Sequence, residues 1–254
     1  MGGLGGSSTA QLLAWLSELA AHITATETSL GLARHLVIPR DIPGHQNTAG
    51  HWNANDNVST VHSQLVEMWK QQDVAPQQQP QPLLADDDCG GVTPPAVYAR
   101  QRAWAALTAG AQSSFLNITI RDRITLQTAA VRAGMEAVGS VTRFLTHEML
   151  HVQLRGMEPA DQLVSTGWCL ARPPSSTVSI LPPEVIVFLR GGQGSTSVKR
   201  EALRNWTSYA AHWFSAESGE VQQAVGAAGT FTRPGKGDWA LHIVQRSRWH
   251  DISQ

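Results

Sequence analysis

Cysteine is scarce in this chain of 254 residues: only Cys89 and Cys169. Two thiols that far apart exclude a disulfide scaffold and a metal knuckle, so buried thiols are expected, with one long-range disulfide as the alternative. Lysine is scarcer than arginine, three (Lys70, Lys199, Lys236) against sixteen, which reads as a GC-rich coding bias. With a net charge of −1 the chain has no bulk attraction to nucleic acid or an anionic membrane. No apolar run approaches the roughly 18 to 20 residues of a membrane span. The N-terminus lacks the basic start and apolar core of a secretory signal, and Gly6 stands where a myristoylation signal needs Ser or Thr. These absences together predict a cytoplasmic protein. What is present is 42% hydrophobic residues, enough for one large domain, or for one domain with an extension.

Residues 8–23 place Leu12, Leu13, Leu16 and Leu19 at helical spacing behind a Ser/Thr cap, which predicts an amphipathic first helix. The Pro, Gly, Asn and His of residues 38–58 suit irregular chain, and a second helix is expected over 59–71. Residues 71–94, a Gln/Pro run followed by Asp86-Asp87-Asp88, read as a linker. A compact domain is expected over 95–225. It would hold a helix in AVYARQRAWAALTAG, a strand or strand pair in FLNITIRDRITL, and a long buried helix from about Thr128 to Leu154 carrying Met135, Val138, Val141, Leu145, Met149 and Val152 as one stripe. ILPPEVIVFLR is strand-like, SVKREALRNWTSYAAHWFSA resumes helical spacing, and residues 226–254 form a tail ending in a strand or short helix.

Inside the expected long helix stands His147-Glu148-Met149-Leu150-His151, an H-E-x-x-H sequence. On a helix, imidazoles four residues apart share one face and can hold a zinc ion, while Glu148 beside them can act as base toward a metal-bound water. Random placement of ten His and ten Glu yields about 0.015 such sequences in a chain of this length. A zinc peptidase needs a third ligand. The segment after His151 lacks the glycine and third histidine of metzincins, so Asp161 in a following loop and Glu201 in VKREALRNW are the candidates. Each has a plainer role available, Asp161 as a cap of a short helix and Glu201 as a solvated carboxylate at a helix start.

The order ITIRDRITL, FLTHEMLH, a loop Asp, STGWCLA and RNWTSYAAHWFSA resembles the aspzincin or deuterolysin-type fungal metalloproteases over roughly residues 115–216. That family carries H-E-x-x-H, a GTxDxxYG segment supplying an Asp ligand and a Tyr, and a later helix reading like NADSYA. The resemblance implies His147, His151 and Asp161 as zinc ligands and Glu148 as catalytic base, with Asn205 to Ala210 echoing the later helix and Gly167 ending the YG position. The sequence departs from the family in three places: Asp161 is the only Asp of its window, no Tyr precedes Gly167, and Thr207 replaces the later Asp. Family members are secreted and disulfide-bonded, and this chain has neither a recognisable signal nor their strand cysteine.

The expected fold is therefore α+β and predominantly helical, a zincin-like domain around a buried H-E-x-x-H helix with an N-terminal helical extension over 1–70. The expected function is a zinc-dependent metalloendopeptidase acting on a peptide or protein substrate. The alternative is a catalytically degenerate relative serving as a structural or interaction subunit, as a homo-oligomer or in a larger assembly. In that reading other chains clamp residues 1–8 and 71–90, because ordering a glycine-rich start is entropically costly, and the Trp-rich tail contributes to the contact. His45, His51 and His62 near Asp56 lack regular ligand spacing and read as solvated or locally bonded. Trp168, Trp206, Trp213, Trp239 and Trp249 read as core and interface material.

Overall fold

The computed structural model describes residues 57–72, 83–88, 95–116, 128–172, 174, 181–202, 209–227 and 229–245, with Thr48, Ala49 and seven isolated positions between Glu18 and Ser29. Its chain divides into two units, 1–48 and 49–254. In the first, the positions described between Glu18 and Ser29 are helical and exposed. Thr26 Oγ1 donates to the His22 carbonyl at 2.9 Å and Ser29 Oγ to the Thr26 carbonyl at 2.7 Å. Helix thus continues past residue 23, while the rest of the predicted first helix lies outside the described residues.

The second unit is built on three helices: α1 (Val58–Gln72), α2 (Ala96–Thr108) and α3 (Ala129–Leu145). Helix α2 is rich in alanine and buried over almost its whole circumference, because small side chains let α1, α3 and the sheets approach it from several sides. Its one tryptophan, Trp104, is fully buried. The indole stacks on Phe188 with ring centroids 4.8 Å apart and donates its N–H to Ser140 Oγ of α3 at 3.0 Å. Gly110 at φ +72 turns the chain out of α2, a conformation that costs glycine no Cβ clash.

Strand β1 (Thr48–Ala49) falls at the division between the units. Strand β2 (Leu83–Asp88) runs parallel to β3 (Ala111–Leu116), Leu83 opposite Ala111 and Asp88 opposite Leu116, with α2 between them in sequence. The acidic segment expected to be linker therefore includes a strand, and the parallel pair places its three aspartates at the carboxyl end. Of FLNITIRDRITL, only Phe115 and Leu116 fall on β3, and residues 117–127 lie outside the described residues.

The largest element is a six-stranded antiparallel sheet in the order β4–β5–β6–β12–β8–β9. Its members are β4 (Glu158–Pro159), β5 (Trp168–Arg172), β6 (Glu184–Leu189), β8 (Tyr209–Ser215), β9 (Val221–Gln223) and β12 (Trp239–Gln245). Alternation splits the strand residues cleanly. Trp168, Leu170, Ile186, Phe188, Phe214 and Ala240 face Trp104, Phe144 and Leu150. Cys169, Ala171, Val185, Val187, Leu189, Trp213, Leu241 and Ile243 face the other way. There they meet Leu163 and Ala202 of one-turn helices, Val198, and Phe231 of a small antiparallel sheet ordered β10 (Gly226–Ala227), β11 (Thr230–Thr232), β7 (Ser195–Ser197). With both faces covered, the strands read as continuous apolar runs.

This architecture corrects two expectations. The fold is mixed α+β and not predominantly helical, and its core is the sheet. SVKREALRNWTSYAAHWFSA is a single turn at Arg200–Ala202 and then strand β8, because its apolar residues are buried on both sides of a sheet. Residues 203–208, including Asn205 to Ser208 of the motif that echoed a helix, lie outside the described residues.

Candidate functional site

Helix α3 starts where expected, Thr128 Oγ1 accepting the Val131 N–H at 3.3 Å, but it ends at Leu145. The Thr146 N–H still reaches the Thr142 carbonyl at 2.9 Å, whereas the His147 N–H turns to Phe144 at 3.3 Å, closing a tighter last turn. His147 to His151 form a separate turn, the His147 carbonyl accepting from Leu150 and His151 at 3.0 and 3.4 Å. His151 adopts φ +48, the left-handed region. The predicted helix to Leu154 is therefore too long, and the i, i+4 helical geometry assumed for the two imidazoles is absent. Leu150 is buried in the helix-facing core and Val152 and Met157 pack against that core, whereas Met135 and Met149 of the expected stripe are exposed, so the stripe is not the buried face. Within the motif, His147 is half-buried, its Nδ1 accepts the Met149 N–H at 3.3 Å, and Glu148 and His151 are exposed.

Asp161 lies elsewhere in the contact pattern. It begins the turn Asp161–Leu163, and its Oδ1 accepts the Cys169 N–H at 2.7 Å, tying that turn to strand β5. Its Oδ2 is 3.4 Å from Nε2 of His62, a buried residue of α1 whose ring stands edge-on to Trp168 at 4.7 Å. Arg190 lies over the same indole, 4.8 Å from its centroid. Burial, reinforced by the positive Arg190, lowers His62 to about 4, so at neutral pH it is uncharged and its contact with Asp161 is not an ion pair. Burial also raises Asp161 above the usual carboxylate range, against the opposing pull of the Cys169 N–H and Lys70. Cys169 is a buried free thiol raised by burial and by the Asp161 charge, which leaves it unreactive.

Glu201 is exposed on the turn Arg200–Ala202. Gly167 has φ +98, and a Cβ there would stand 2.7 Å from the Phe188 carbonyl oxygen, so glycine is required by close approach of β6. His45, His51, Cys89, Trp206 and Trp249 lie outside the described residues, as do 1–8 and most of 71–94.

Sequence reasoning missed two charged sets, one wholly buried and one partly so. Arg172, Glu184 and His242 lie on the helix-facing side of neighbouring strands, each about 1% exposed. Arg172 Nη2 donates to Glu184 Oε2 at 2.6 Å, and its other donors reach the carbonyls of Pro182, Gln153 and Arg155 at 2.7–2.8 Å. Glu184 Oε1 accepts the Gln153 N–H at 3.2 Å and contacts His242 Nε2 at 2.8 Å, which places the imidazole proton on that nitrogen if the carboxylate is ionised. The chain leaving His151 is thus clamped to the sheet. In the second set, Arg100 Nε donates to Asp238 at 2.9 Å and Nη2 to Glu217 at 2.7 Å, while Asp238 also accepts the Gly191 N–H at 2.9 Å. Neither set has a fixed sequence spacing, so the only available signal was a charged residue interrupting an apolar strand, as in Pro183-Glu184-Val185.

Among the described residues, no three His, Cys, Asp or Glu side chains converge as a group able to hold a metal ion. His147 and His151 do not meet Asp161 or Glu201 in such a group, so the described donor set does not fit a three-ligand zinc centre. No described helix is long and apolar enough to cross a membrane. No protein-family model matches the chain, and no curated protein matches it either.

Proposed function

We propose that this chain works as a non-catalytic structural or interaction subunit. The observation that carries this reading is the placement of His147 to His151 in a turn beyond the end of α3, with Asp161 committed to the Cys169 N–H. A hydrolytic centre needs its ligands and base held toward one point by neighbouring side chains. In this chain the densely bonded charged groups brace the fold, Arg172 holding the carbonyls of the segment after His151 and Arg100, on α2, holding Asp238 just before β12.

The competing reading is the zinc endopeptidase suggested by the motif. Purified chain is supplied with zinc, passed through a desalting column and assayed for metal content and for hydrolysis of a denatured protein substrate. The subunit reading expects less than one retained zinc per chain and no hydrolysis that depends on Glu148. About one zinc per chain, with hydrolysis abolished in Glu148→Gln, overturns it. Light scattering on the eluting protein reports its assembly directly, and a strict monomer that captures no second copy removes the homo-oligomer form of the proposal.

A further inference from the structure

We draw no further inference here: the strongest candidate, the Asp86-Asp87-Asp88 triplet at the carboxyl end of the parallel strand β2, is an acidic cluster with no second observation beside it that points to a ligand.

Discussion

Two sets of histidine and glutamate lie close together in this chain and have opposite environments. His147, Glu148 and His151 carry the recognisable spacing and sit half-buried or exposed on a turn, where His147 bonds a neighbouring backbone N–H. Arg172, Glu184 and His242 carry no recognisable spacing and are almost wholly buried, with Arg172 bonded to three carbonyls and a carboxylate. Spacing reports which residues a regular helix would bring together. It says nothing of whether the helix continues, and α3 stops two residues before the motif. Burial is what turns a charged residue into an energetic commitment, since a buried charge needs a partner and an exposed one does not.

The sharpest way to break this contrast is to remove Arg172. Arg172→Met keeps an apolar stem of similar length but leaves Glu184 buried without its cation and three carbonyls without donors. Removing one partner of a buried pair costs about 3–5 kcal/mol, so Arg172→Met should lose about that much in urea denaturation. The double variant Arg172→Met, Glu184→Gln should recover part of the loss, because the orphaned charge has gone. A double variant less stable than the sum of the two single losses would show that the network stabilises by packing and not by charge compensation.

Much of the helical layer was legible. Val58–Gln72 and Ala96–Thr108 follow the expected helices, since caps, proline and glycine punctuate the sequence around them. Strand β6 was legible in Glu184 to Leu189 through its β-branched residues, whereas the run from Trp239 to Gln245, expected as a strand or short helix in a tail, is a strand inside the main sheet. Strand β8 was not, because Tyr209 to Ser215 is covered on both faces and loses the polar alternation that marks a strand, while Trp213 and Tyr209 fall four apart as on a helix. The end of α3 was hidden for a related reason: Val152 packs against the core from beyond the turn at a position that prolongs the expected helical spacing. As for the candidate site, the residues of His147 to His151 could be read from the sequence, but their backbone could not. The approach of Asp161 to His62, 99 residues earlier in the chain, depends on α1 docking and has no local trace.

His62 sharpens the comparison, being buried like His242 but kept uncharged at neutral pH by that burial and by Arg190. The unfolded chain takes up a proton on this histidine below about 6.5, whereas the folded one resists until about 4. Stability is therefore full above pH 6.5 and is lost as pH falls toward 4, with about 2 kcal/mol gone at pH 5 from this group alone. Asp161, raised by burial, acts in the opposite sense over the range above its ordinary value and offsets some of that loss. Chemical denaturation at pH 7 and pH 5 should show a smaller difference in His62→Gln than in the parent. An unchanged difference would mean that His62 is solvated or paired in both states.

The smallest expected effect belongs to the residue that the motif made most prominent. Glu148 is exposed, makes no side-chain hydrogen bond among the described residues, and lies just past the carboxyl-terminal end of α3, where a negative charge faces the negative end of the helix dipole. Glu148→Gln removes that charge at nearly constant volume. Stability should rise slightly or stay level, within about 0.5 kcal/mol, as for exposed substitutions away from packed or bonded sites. Retained zinc, measured after the same desalting step, should also be the same in parent and variant. A loss of 2 kcal/mol or more would show that Glu148 is bonded in the folded protein, and would shift the balance of the comparison back toward a turn built around its carboxylate.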